Sequence, residues 1–291
     1  MRRRQMMRAT IAASLMTLMA CEGPEGPMGP RGETGQQGES PDLSPIEVEI
    51  VELHTRLDSL AAVLASMDAD TNTNGDTNDN QEGAVVTTQL EDNSWTCRPQ
   101  GQGPFPAVLY NHGGLGDAIG GDLEGTCRAL ADQGFLAHAE KRPETVSLEG
   151  HLDEVLHALE TLRGNTHADT NRIGIIGFSR GGLLTLQAAI ERPDDINAIV
   201  LFAPAPAKNV LEKTLESVTS INAPVRIYVA ANDLYQADHV QLAKDVEAAL
   251  RAANKDVELI IYPEFGNDGH ELFFEVTDLY WINVLDFLKI L

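Results

Sequence analysis

The sequence predicts an α/β domain over residues 84–291, a mainly parallel sheet covered on both faces by helices, preceded by a collagen-like and coiled-coil stalk. Three observations predict it. Short apolar runs alternate with helical patterns throughout the C-terminal two-thirds, as parallel strands joined by helical crossovers require. Glycine recurs at every third position from Gly23 to Gly38. Beyond it, apolar residues fall alternately four and three apart from Ile46 to Met67.

From the start of the chain, Arg2, Arg3, Arg4 and Arg8 precede an uncharged, mainly apolar run at Ala9–Ala20, which reads as an export signal over residues 1–20. The run is too short to remain in a bilayer as a spanning helix. It ends in Leu18-Met19-Ala20-Cys21, which resembles a bacterial lipoprotein box with Cys21 as the lipidated residue; an ordinary secretory signal is the alternative. The expected location is the bacterial cell envelope, exported and held to a membrane by a lipid anchor.

Residues 21–40 hold six Gly-x-y triplets headed by Gly23, Gly26, Gly29, Gly32, Gly35 and Gly38. A collagen triple helix needs this spacing because no side chain fits at its axis. A polar tether is the alternative, so support must come from the next segment. In residues 41–67, Ile46, Ile50, Leu53, Leu57, Leu60, Leu64 and Met67 keep an a/d register over three heptads. A coiled coil there would hold three chains in phase and make a homotrimer; a helix packed on the chain's own domain is the alternative. Residues 68–83 are a polar linker. Asp70, Asn72, Asn74, Gly75 and Asp76 fit the front of a calcium loop, but Gln81 stands where its bidentate glutamate belongs.

In residues 84–291, strands are expected at Val85–Leu90, Phe105–Tyr110, Phe135–Ala139, Arg172–Ile176, Ala198–Phe202, Val225–Ala230 and Val257–Tyr262. Helices are expected between them at Leu123–Ala131, His151–Leu162, Gly182–Glu191, Asn209–Val218, His239–Ala252 and Glu271–Leu291. A region of this size buries a sizeable core. Cys97 and Cys127 both fall in its first half and either form a disulfide or stay as two free thiols.

Gly177-Phe178-Ser179-Arg180-Gly181 joins a strand directly to a helix, the context of a nucleophile elbow. Ser179 is the candidate nucleophile. It needs a histidine base oriented by a carboxylate. In such a sheet the partners follow in the order acid, then histidine, from loops at the carboxyl ends of strands. Asp233 follows the strand Val225–Ala230 and is the acid; His270 follows Val257–Tyr262 and is the base. Asp238 and His239 read as the start of a helix, and Asp268 lies after the wrong strand for the acid. His151 and His157 read as surface or packing residues. The oxyanion donors are the backbone N–H of Arg180 and that of Gly114 or Leu115, in the loop His112-Gly113-Gly114. His112 reads as an anchor for that loop.

On these residues the domain resembles an α/β-hydrolase, and within that superfamily it is similar to dienelactone hydrolase-like and prolyl-oligopeptidase-like proteins. The resemblance rests on the His112 loop, the stretch Ala168–Gly182, Asp233 and Gly269-His270, and covers none of the stalk. Dienelactone hydrolases typically carry cysteine at the elbow, whereas this chain has Ser179, so lactone hydrolysis does not carry over. The net charge of −23 leaves no basic stripe for nucleic acid. The expected activity is a serine hydrolase that cleaves a small carboxylic ester through an acyl-enzyme, with no cofactor and no metal. A peptidase or amidase with the same triad, and a non-catalytic trimeric surface protein using the fold as a scaffold, are the alternatives.

Overall fold

The computed structural model describes residues 85–115 and 118–291. The expected export signal (1–20), lipidated Cys21, collagen-like segment (21–40), heptad helix (41–67) and linker (68–83) lie outside the described residues. Among the described residues no helix is long and apolar enough to cross a membrane.

Strands β1 (Val85–Gln89) and β2 (Trp95–Pro99) form an antiparallel hairpin at one edge of the sheet. Next come β3 (Phe105–Asn111) and a small hairpin of β4 (Gly113–Leu115) and β5 (Ala118–Gly120), then α1 (Leu123–Asp132) and β6 (Leu136–Glu140). The chain continues through α2 (His151–Gly164), β7 (Ala168–Phe178), α3 (Arg180–Glu191), β8 (Ala198–Phe202) and α4 (Val210–Leu215). It ends with β9 (Val225–Ala230), α5 (His239–Ala252), β10 (Val257–Tyr262) and α6 (Asp278–Leu288). The main sheet has eight strands in the order β1-β2-β6-β3-β7-β8-β9-β10, and the run from β6 to β10 is parallel.

Strand β8 and the later part of β7 are apolar without alternation because they are buried on both faces. Every residue of β6 and β8 is buried, as are Ile173–Phe178 of β7. At the far edge β10 is half-exposed. Helices α2 and α3 pack against each other and onto the centre of the sheet, and α5 packs on β9 and β10. Leu288 and Leu291, at the end of the chain, lie against Gly174 of β7. Helices α1 and α5 are N-capped by Asp122 and Asp238, whose carboxylates accept from Gly125 N and Gln241 N at 2.9 Å. A disulfide joins Cys97 of β2 to Cys127 of α1, with Cα atoms 5.5 Å apart.

Two expectations change. Strand β2 and the β4–β5 hairpin are additional elements, the second folding within the loop expected to hold the oxyanion donors. The expected helix Glu271–Leu291 is two elements: a 3-10 turn at Gly269–Phe273 and then α6. The break lets the chain turn once around His270 before the longer helix begins.

The strand order places the site. Strand β3 lies between β6 and β7, so the chain leaves β3 toward one edge and returns to pair on its other side. At such a reversal the loops leaving neighbouring strands diverge and open a crevice at their carboxyl ends. The β3 loop and the turn after β7 meet there.

Candidate active site

The turn after β7 is built by steric exclusion. A Cβ at Gly177 would fall on the carbonyl of Gly181 and the hydroxyl of Thr185. One at Gly181 would fall on the carbonyls of Asn111 and His112. Both positions therefore need glycine. Between them Ser179 adopts φ 53° and ψ −114°, a conformation that costs a non-glycine residue about 1–3 kcal/mol. Neighbouring backbone holds it there: Ser179 N donates to Phe202 O at 2.8 Å, and Ser179 O accepts from Ala205 N at 2.9 Å. Asn111, at the end of β3, donates to Thr185 Oγ1 of α3 at 2.9 Å in the buried interior.

Asp233 follows β9 and His270 follows β10, and the fold brings them together. His270 Nδ1 lies 2.9 and 3.0 Å from the two carboxylate oxygens of Asp233, and both residues are buried. With Nδ1 donating to the carboxylate, Nε2 is the nitrogen left to act as a base. Ser179 and His270 line one cavity of about 450 Å³. Phe178 and Tyr235 flank the imidazole, with ring centroids 4.7 and 4.9 Å away, the Tyr235 ring stacked on it.

Two residues that the sequence reading did not assign to the site hold this pair. Asn232 Nδ2 donates to Phe265 O at 3.1 Å, and Asn232 Oδ1 accepts from Phe265 N at 2.9 Å. The acid and base loops are thereby joined through one side chain. His239 begins α5 as expected, yet its ring also packs 4.5 Å from that of His270. Its N–H donates to Asp233 O at 3.1 Å, and its Nε2 pairs with Tyr235 O at 2.9 Å, closing the acid loop. Burial holds the His239 pKa below the usual histidine range. Asp268 takes no part in the acid–base pair; it accepts from His270 N at 3.0 Å and caps the 3-10 turn. His151 is buried and bonds Thr145, whereas His157 is exposed.

The sequence predicts no metal-ligand cluster, but the ligand atoms of Asp233, His239 and His270 lie within 4.8 Å of one another. Asp233 and His270 already bond each other, which is the arrangement of an oriented base.

On the other side of the cavity the β3 loop passes close over Ser179. A Cβ at Gly113 would lie 3.0 Å from Ser179 Cβ, and Gly114 lines the cavity. Leu115 pairs with Ala118 in the β4–β5 hairpin. His112 anchors the loop: its Nε2 accepts from Arg142 N at 3.2 Å, and its carbonyl accepts from the Arg142 guanidinium. Burial, reinforced by the Arg142 charge, pushes the His112 pKa down to about 3, so the ring is neutral. Burial also lowers the Arg142 pKa, to about 10, which leaves it cationic at neutral pH. The Arg180 side chain donates to the carbonyls of Thr145, Val146 and Ser147.

Comparison with known proteins agrees with this architecture. A Yersinia pestis protein named "Putative carboxymethylenebutenolidase" is 29% identical over 198 residues, 58% of this chain and 70% of the relative. A crystal structure described as "Putative Dienelactone Hydrolase from Klebsiella pneumoniae subsp. pneumoniae MGH 78578" superposes with a TM-score of 0.57 at 22% identity, over 71% of this chain and 99% of that one. Inhibited esterase B from Lactobacillus rhamnosis superposes with a TM-score of 0.54 at 16% identity, over 81% of this chain and 96% of that one. At these identities the superpositions speak to the α/β-hydrolase fold. The model of the dienelactone hydrolase family matches residues 138–288, a stretch from β6 to the end of α6 that includes the elbow, Asp233 and His270. The chain thus belongs to the dienelactone hydrolase family, and it is a hydrolase.

Proposed function

We propose that this hydrolase is an exported serine esterase that cleaves a small carboxylic ester through an acyl-enzyme. One observation carries the reading: His270 Nδ1 is held by the Asp233 carboxylate while His270 and Ser179 border the same cavity. Ser179 Oγ attacks the ester carbonyl as His270 Nε2 takes its proton. The imidazolium, stabilised by Asp233, returns that proton to the departing alkoxide, and the alcohol leaves. Water, activated by the same histidine, then adds to the acyl carbon and releases Ser179 with the acid. The N–H of Arg180, with that of Gly114 or Leu115, faces the developing oxyanion. Export and lipid anchoring at Cys21 rest on the N-terminal sequence, as does trimerisation through the stalk.

The test is hydrolysis of short-chain nitrophenyl esters by the full chain and its Ser179→Ala variant. Loss of at least about 1,000-fold in kcat, with folding intact, is expected. A variant that retains the wild-type rate would exclude Ser179 as the nucleophile.

A further inference from the structure

His270 has to carry a positive charge where water scarcely reaches it. In the serine esterase step the proton of Ser179 Oγ passes to His270 Nε2 as the bond to the acyl carbon forms. The ring is then a cation until that proton leaves with the alcohol. His270 is only 2% exposed, and Asp233 meets it at Nδ1, on the edge of the ring. The faces of an imidazolium bear no N–H, so no hydrogen bond can replace water there. The face of an aromatic ring can, because its quadrupole presents negative charge to a cation.

Tyr235 supplies such a face. Its ring is stacked on that of His270, with centroids 4.9 Å apart and planes 16° from parallel. That is inside the roughly 6 Å over which an aromatic face attracts a cation. Phe178 and His239 also pack on His270, at 4.7 and 4.5 Å, but tilted by 40° and 45°. Phe178 is wholly buried in the elbow, whereas Tyr235 follows β9 in the acid loop and is half-exposed. That loop is fixed independently of the ring, since it is the Tyr235 carbonyl that pairs with His239 Nε2.

The geometry points to Tyr235 as a positioning residue for the base, whose ring holds the His270 imidazole and stabilises the charge it takes on during the reaction. This rests on the serine esterase reading and adds a residue to it. An imidazolium gains more from the quadrupole than a neutral imidazole does, so the contact strengthens on the way to the transition state. Its loss should therefore appear in kcat and leave KM alone.

The experiment compares hydrolysis of nitrophenyl acetate by the full chain, by Tyr235→Phe and Tyr235→Leu, and by a chain with trifluorophenylalanine at position 235. Fluorine withdraws charge from the ring face and keeps the ring's shape. The leucine and trifluoro variants should lose about fivefold in kcat and kcat/KM alike, the factor a partly exposed cation–π contact supplies. Tyr235→Phe, which keeps an aromatic face, should retain most of the rate. A trifluoro variant as fast as Tyr235→Phe overturns the inference, even where Tyr235→Leu fails to fold. So does a loss confined to KM, which marks a substrate wall, or a Tyr235→Phe variant as slow as Tyr235→Leu, which marks the hydroxyl. A Ser179→Ala variant at the wild-type rate overturns the serine esterase reading and this inference with it. An inactive Ser179→Ala beside unimpaired Tyr235 variants overturns only the role of Tyr235.

Discussion

Acid should loosen this fold through His112. Its pKa is about 3 in the folded chain against 6.5 when free, because burial and the Arg142 charge both oppose its protonation. The unfolded chain therefore takes up a proton that the folded chain refuses, so stability is lost as pH falls through about 6.5 toward 3. Between pH 7.5 and 5.5 this one group removes about 1.4 kcal/mol, and by pH 4.5 about 2.7 kcal/mol. His151 and His239 are shifted the same way and add to the loss. Domains of this kind hold only about 5–15 kcal/mol in all. Urea unfolding followed by tryptophan fluorescence is the assay, since both tryptophans, Trp95 and Trp281, lie in the described domain. The His112→Asn variant should be weaker at pH 7.5, because the loop loses an anchor. It should then lose about 1.4 kcal/mol less than wild type on going to pH 5.5. Wild-type and variant stabilities that run parallel across that range would refute the argument.

Other outcomes follow from the same geometry. Gly181→Ala forces a methyl group onto the Asn111 and His112 carbonyls and should cost at least about 3 kcal/mol by thermal or urea denaturation. Reducing the Cys97–Cys127 bond, which spans 30 residues of sequence, should lower stability by about 3.5 kcal/mol in unfolding curves with and without dithiothreitol. An unchanged midpoint would mean that the bond adds nothing beyond the packing of β2 on α1.

How far the sequence could be read depended on whether a feature is written in local spacing. The elbow is: glycines two residues either side of Ser179, with Ile173–Ile176 before and Leu183 onward after, describe a strand, a turn and a helix in one stretch. Asp233 and His270 were readable because topology puts such partners at the ends of successive parallel strands. Asn232 was not, since its bonds are to the backbone of Phe265, 33 residues away. His239 looks like any helix-starting residue until the fold sets its ring on that of His270. Strand β2 escaped notice because Arg98 and Pro99 interrupt its apolar pattern. The last helix reads as continuous because no glycine or proline breaks Glu271–Leu291, although Thr277, extended at φ −132° and ψ 151°, separates the 3-10 turn from α6.

The reacting groups and the cavity walls around them are built on different terms. Asn111 is bonded to the Thr185 hydroxyl, Asn232 and His112 to backbone, and Ser179 is held in a strained turn, so almost any change there disturbs several bonds at once. Ile119 of β5 and Phe274, at the end of the 3-10 turn, line the cavity with half-exposed side chains. Selection or engineering can therefore retune which substrate enters without touching the parts that hold Ser179, Asp233 and His270. On this view the domain resembles a tool with a fixed blade and an interchangeable guide, and libraries aimed at new substrates belong at those wall positions.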